Sequence, residues 1–259
     1  MVLLGTPLLV FLGQRRLIFF PEREGLETSL PRAGRLGLEP WRSPTGTLLG
    51  WRAPHPSGAA AGRLLVLHGN AGTALDRTYL AKAFQSAKVD PPLDVYLLEY
   101  PGYGSLSGSP SESSFLEAAL AGVDALTDKP LVLCGESLGG ALARLVAARR
   151  PVAVRGLILL VPLKNLAEVG KRHYPLLPPF LLRDLFRADR ALASYQGPAA
   201  FLIAGMDEVV FTDLSLALRD AHAGPHRTWV EAKAGHNGLD FDPAQPRWAE
   251  MARFALGEK

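Results

Sequence analysis

The chain has 259 residues, 48% of them hydrophobic, with 28 Lys and Arg against 25 Asp and Glu and a single cysteine. This composition suits a folded chain with a sizeable core and excludes a disordered one, which would pair low hydrophobicity with high net charge. The lone Cys134 excludes a disulfide scaffold, a tetrathiolate zinc site and an iron–sulfur cluster; the net charge of +3, with acids and bases interspersed, points to no nucleic-acid partner.

Residues 1–20 form an apolar segment that precedes a domain over 21–259. The first thirteen residues carry no charged side chain, and Arg15-Arg16 interrupts the run before Leu17-Ile18-Phe19-Phe20. A spanning helix needs about 20 apolar residues, so the run is too short to cross a bilayer comfortably. No basic stretch precedes it and no small-x-small cleavage site follows, so it is not read as a secretory signal. A peripheral membrane contact through residues 1–20 and a helix packed on the body both stay open, for a protein expected to be cytoplasmic or membrane-associated.

Further along, bare apolar runs alternate with helical patterns. Strands are expected at Thr47–Arg52, Leu64–Leu67, Val95–Leu98, Leu131–Cys134, Leu157–Val161, Ala199–Ala204 and Thr228–Lys233. Such runs, bounded by Gly and Pro and lacking alternation, suit strands buried on both faces of a parallel sheet. Helices are expected at about 75–87, 112–126, 138–149 and 212–222, the second opening at Ser111-Glu112-Ser113-Ser114, where hydroxyls can cap it. The fold class is α/β: a mostly parallel central sheet with helices on both faces. Leu163 to Gln196 breaks the rhythm; with Tyr174-Pro175-Leu176-Leu177-Pro178-Pro179-Phe180 it is too long for a crossover loop and too apolar for a linker. It reads as a small helical cap insertion at about 163–196.

Functional groups in open α/β sheets collect at the carboxyl ends of strands. Gly135-Glu136-Ser137-Leu138-Gly139 has an apolar strand before it and a helix after it, the context of a nucleophile elbow, in which glycines relieve the crowding of a sharp turn and the serine is held out. A serine hydroxyl needs a base. His236, in a glycine-flanked loop past the last strand, is the candidate; His68 is expected to shape its own loop, His55, His222 and His226 to be exposed, and His173 to lie in the insertion. Asp207, directly after Ala199–Ala204, is the candidate acid, with Glu208 as runner-up and Asp213, Asp240 and Asp242 solvated. The order Ser137, Asp207, His236 is that of an α/β-hydrolase triad. Backbone N–H groups of Leu138 and Asn70 are the expected oxyanion donors, Ala71 being the weaker alternative for the second. Tyr103 is a candidate pocket residue. Arg144, Arg149, Arg150 and Arg155 read as a solvated face, and Cys134 as a buried strand residue.

His68-Gly69-Asn70-Ala71-Gly72, Glu99-Tyr100-Pro101-Gly102-Tyr103-Gly104, Gly108-Ser109-Pro110-Ser111-Glu112, the elbow, Asp207-Glu208-Val209-Val210 and Gly235-His236-Asn237 together cover roughly residues 36–245. On these motifs the chain resembles the α/β-hydrolase superfamily, specifically the small-capped branch that includes membrane-associated serine hydrolases and protein depalmitoylases. The resemblance implies Ser137, Asp207 and His236 as the triad, acting on a small-molecule or acylated substrate through a carboxylic ester or thioester. An aminopeptidase or amidase with the same triad is the alternative. It would want an acidic pocket for the amine, and the insertion offers only Glu168, Asp184 and Asp189 among many bases. A non-catalytic lipid-binding module would be marked by a missing triad member, and none is missing. No phosphate-binding glycine loop or helical metal pair is present, so no cofactor and no metal are expected.

Overall fold

The computed structural model describes residues 11, 13–86, 92–175, 178–188, 191 and 194–258. Residues 1–10 and Leu12 of the apolar segment lie outside them, as do Leu176, Leu177 and Asp189 of the insertion and position 87 at the end of the expected helix 75–87.

The main sheet has eight strands: β2 (Glu39–Arg42), β3 (Leu48–Ala53), β4 (Gly62–Leu67), β6 (Leu93–Leu98), β7 (Leu131–Glu136), β8 (Val154–Leu160), β9 (Ala199–Ala204) and β10 (His226–Glu231). Their spatial order is β10-β9-β8-β7-β4-β6-β3-β2. From β10 to β6 every pairing is parallel, as expected; β3 pairs antiparallel with β6, and β2 antiparallel with β3. A two-stranded parallel pair, β1 (Phe20–Pro21) with β5 (Ala71–Gly72), stands apart.

Strand residues alternate between two cores. Leu65, Leu67, Leu133, Leu157, Leu159 and Phe201 face one; Leu64, Val66, Val132, Cys134, Ile158, Leu160 and Leu202 face the other. Burial on both faces is why these runs lack polar alternation. The first core is closed by α3 (Glu112–Asp124), α4 (Leu138–Arg149) and α6 (Thr212–Asp220), through Phe115, Val123, Leu142, Val146, Leu214 and Leu218. The second is closed by α2 (Thr78–Ser86) and α7 (Arg247–Leu256), through Leu80, Phe84, Trp248 and Met251. The expected helix 75–87 begins as a tighter turn, Ala74–Arg77, capped at Thr73. Helix α3 starts where its serines predict, with Ser111 Oγ accepting the Ser114 N–H at 3.0 Å. Two helices lie outside those expected from the sequence: α1 (Leu26–Arg35), interrupted by Pro31, and α7. Both draw their stability from packing on the body.

The insertion carries α5 (Leu166–His173), capped by Asn165, and a short 3₁₀ turn at Pro179–Leu181. It is fastened at several points. Asp184 is buried and accepts the Glu112 N–H at 2.8 Å, while Glu112 Oε2 accepts the N–H groups of Leu185 and Phe186. Arg144 corrects the expectation of a solvated face: it is fully buried, donating to the carbonyls of Gly140, Leu163 and Lys164, and so pins the start of the insertion to α4. Its guanidinium reaches the carbonyls a solvated side chain would leave to water. His222 is likewise buried, not exposed, against the Gly197 carbonyl, and its burial lowers its pKa.

Of the N-terminal segment, residues 13–18 are helical and lead into β1. Gln14 and Phe19 are buried against the body, whereas Leu17 and Phe20 are exposed. Among the described residues no helix is long and apolar enough to cross a membrane.

Candidate active site

Strand β7 ends at Glu136 and α4 begins at Leu138, so Ser137 is the whole of the turn between them. Its backbone has φ 51° and ψ −113°, a conformation L-residues rarely adopt. The flanking glycines permit it. A Cβ on Gly139 would stand 1.9 Å from the Leu67 carbonyl oxygen, and one on Gly135 would stand 2.5 Å from the Gly139 oxygen. The strand–turn–helix junction thus needs glycine on both sides to pack against β4.

Three strand ends converge here. His236, in the loop after β10, places Nε2 3.1 Å from Ser137 Oγ. Its Nδ1 lies 2.8 Å from Asp207 Oδ2, in the loop after β9. The other carboxylate oxygen, Asp207 Oδ1, accepts the main-chain N–H groups of Val209 and Val210, both at 2.9 Å. Burial alone would raise the Asp207 pKa, but the hydrogen bond and charge of His236 and the two N–H donors outweigh it, holding the carboxyl below its ordinary range. An ionised Asp207 can only accept, so Nδ1 carries the histidine proton and Nε2 is left to accept the Ser137 hydroxyl. Glu208, the runner-up acid, is exposed.

The other candidates fall around this axis. Leu138 opens α4, so its N–H has no intrahelical acceptor. Asn70 follows β4; its carbonyl and side-chain amide are bonded to protein, and among the described residues no protein acceptor is recorded for its main-chain N–H. Tyr103 corrects its assignment to the pocket wall: it is fully buried, and its hydroxyl donates to the Asn70 carbonyl at 2.7 Å, so it shapes the loop from behind. His68 shapes the same loop. It is buried between Tyr100 and Tyr103, with Nδ1 on the Gly69 carbonyl at 2.8 Å and the Tyr100 hydroxyl on its own carbonyl. His173 sits at the end of α5, exposed, with Nε2 2.8 Å from the Val209 carbonyl, tying the cap to the acid loop. Among the described residues no cluster of His, Cys, Asp and Glu could hold a metal.

One cluster beside the serine had no sequence pattern to announce it. Glu136 accepts from Arg77 Nε at 2.9 Å, Tyr79 Oη at 2.7 Å and the Gly69 N–H at 3.4 Å. Burial would raise the Glu136 pKa, but the Arg77 charge and these donors outweigh it and the carboxyl is held low. Arg77 and Tyr79 reach Glu136 from the tight turn and the first residues of α2, and only the fold brings them together.

Both carboxyls, Asp207 and Glu136, therefore titrate lower in the folded chain than in the unfolded one. Their stabilisation is fully present above the unfolded range of about 4 and is lost as pH falls through the lower folded values. Thermal melts are expected to decline gently below about pH 6.5, where the unfolded chain protonates His222 and the buried ring resists it, and to drop steeply below about 4, with Glu136→Gln melting lower at neutral pH and falling less steeply in acid. A Glu136→Gln variant as acid-sensitive as the parent contradicts that assignment.

Comparison with known proteins bears on the fold. The model of the alpha/beta hydrolase fold family matches residues 62–192. An uncharacterised protein of Mycobacterium tuberculosis is 36% identical across 96% of this chain and 90% of its own length. The chain belongs to the α/β-hydrolase fold family. Another relative, the lysophosphatidylserine lipase ABHD12 of Xenopus tropicalis, is 35% identical over 42% of this chain and 30% of that protein. Among solved structures, Est1E from Butyrivibrio proteoclasticus superposes with a TM-score of 0.68, covering 86% of this chain and all of that one at 15% identity, a likeness of fold alone. In this α/β-hydrolase, the eight-stranded, mostly parallel sheet is the family's fold.

Proposed function

We propose that this hydrolase is a serine esterase or thioesterase that works through an acyl-enzyme on Ser137. The observation that carries the reading is the hydrogen-bonded line Ser137 Oγ–His236 Nε2–Asp207 with the serine at a positive φ. Ser137 Oγ attacks the acyl carbonyl carbon as its proton passes to His236 Nε2, and the carbonyl electron pair moves onto oxygen. The N–H groups of Asn70 and Leu138 stabilise that oxyanion. Collapse expels the leaving group, which takes the proton from His236. Water repeats the sequence, with His236 as base, and releases the acid. Asp207 keeps the histidine in the productive tautomer and balances its transient charge.

An ester or thioester substrate is favoured over an amide by the surroundings of the cap. Its exposed side chains include Tyr174 and Phe180, while Asp184 is buried in structural bonds and Glu168 is paired with Lys164, leaving no free carboxylate there, among the described residues, to receive an amine. The name of the lipase relative points the same way. A fluorophosphonate probe is expected to label the parent protein stoichiometrically, with peptide mapping to Ser137, and to leave Ser137→Ala unlabelled. Equal labelling of the two would refute the assignment.

A further inference from the structure

Asn70 is held on more sides than a loop residue needs. Its side-chain Nδ2 donates to the Ile18 carbonyl at 2.8 Å. Its own carbonyl oxygen accepts twice, from the Phe20 N–H at 2.9 Å and from the Tyr103 hydroxyl at 2.7 Å. The facing group at Ile18 is a carbonyl, so the amide nitrogen and not the oxygen must point to it. The next two residues continue the contact as the parallel pair β1–β5, Phe20 opposite Ala71 and Pro21 opposite Gly72. Residues 14–21 therefore lie as an arm along the loop after β4.

The far end of this arm grips the cap. Gln14 Nε2 donates to the Leu181 carbonyl at 2.9 Å and its Oε1 accepts the Arg183 N–H at 2.8 Å. Arg15 makes a bidentate pair with buried Asp184 at 2.7 and 3.0 Å. Between the two ends, Phe19 is buried with its ring edge-on to Phe115 and Phe186. One short segment thus joins the cap directly to the loop expected to supply an oxyanion donor.

We propose that the arm is a positioning element of the active site, and that the Asn70 side chain, through its bond to Ile18, aims the Asn70 main-chain N–H at the developing oxyanion. The inference rests on the serine-hydrolase reading above. The physical reason is that the donor N–H belongs to the Gly69–Asn70 peptide, whose plane is set from one side by His68 Nδ1 on the Gly69 carbonyl at 2.8 Å and from the other by whatever fixes the Asn70 Cα. Here the side chain and carbonyl of Asn70 are both anchored to the arm, and the N–H is left for the reaction. A preorganised donor adds transition-state stabilisation without reorganising during the reaction, and small misplacements are costly.

The test uses the full chain, p-nitrophenyl butyrate as substrate and an aryl trifluoromethyl ketone, whose serine adduct bears an alkoxide at the oxyanion position. Asn70→Ala retains every main-chain bond and loses only the tie to Ile18. Its kcat is expected to fall about 10- to 100-fold with KM within about twofold, and its affinity for the ketone to fall in parallel. Asn70→Asp keeps the shape but sets an acceptor against the Ile18 carbonyl, and is expected to fall at least as far. A purely structural role would move the melting temperature and leave the ketone affinity of the folded fraction unchanged, which overturns the proposal; so does a parental kcat in either variant. Should Asn70→Ala not fold, the double variant Gln14→Ala, Arg15→Ala, which releases the arm from the cap, carries the test: a several-fold loss of kcat at constant KM supports it and a parental kcat overturns it. If Ser137→Ala is as active as the parent, the serine-hydrolase reading itself fails; if it is inert and the Asn70 variants are unimpaired, only the role of the arm fails.

Discussion

Asp207→Asn is expected to lower kcat on p-nitrophenyl esters by about 10⁴-fold, the size of effect known for triad aspartates, and His236→Ala by about 10⁵–10⁶. The asparagine fits the same space, so the loss is one of chemistry. Asp207 Oδ1 is held by the N–H groups of Val209 and Val210, which fixes an oxygen on that side. The other atom, the one 2.8 Å from His236 Nδ1, must then become an NH₂ donor. A donor facing Nδ1 drives the histidine proton to Nε2, where it can no longer accept from Ser137. Ser137→Ala combined with His236→Ala is expected to be no slower than either alone, since the groups act as a unit. Steady-state kinetics on purified variants decides the matter. If Asp207→Asn lies within about tenfold of the parent while Glu208→Gln is inert, the acid has been misassigned.

Gly139→Ala is expected to destabilise the protein by about 3–5 kcal/mol and to lower its melting temperature by roughly 6–15 °C, among the larger effects open to a single methyl group. The new Cβ would stand 1.9 Å from the Leu67 carbonyl oxygen at the end of β4 and 2.6 Å from that of His68 just beyond it, both main-chain atoms. No rotamer relieves a Cβ contact, so either β4 or the start of α4 must move. The same movement would carry Asn70 away from Ser137, so activity should fall further than the unfolded fraction accounts for. Calorimetry and single-turnover kinetics on the same preparation separate the two losses. A variant melting within about 2 °C of the parent would mean that the elbow has room the structure does not show.

Much of this was legible along the chain. The bare apolar runs at 64–67, 95–98, 131–134 and 199–204 emerged as β4, β6, β7 and β9, because a strand covered by helices on both faces must be apolar at every position. Glycines at 135 and 139 marked the elbow, since only a residue without a Cβ lets helix and strand approach so closely. The family resemblance in these motifs also matches the family to which the chain belongs. Less legible were α1, which is interrupted by Pro31, and α7, only ten residues long; both are stabilised by what they pack against. Arg144 looked like a surface charge because sequence registers its type and not the carbonyls within reach of its guanidinium. Tyr103 looked like a pocket residue for the same reason, when its hydroxyl is committed to Asn70.

By itself the sequence determined the α/β class, the order of the nucleophile, acid and base candidates, and the loops that bear them, because strand burial and tight turns are local demands on residue type. Only the tertiary structure decided that residues 14–21 lie against the loop after β4, that Glu136 is held by Arg77 and Tyr79, and that Asp184 fastens cap and arm together. These contacts join segments tens to more than a hundred residues apart through single hydrogen bonds and ion pairs. No periodicity records them, because each depends on where two backbones happen to meet and not on what either segment prefers alone.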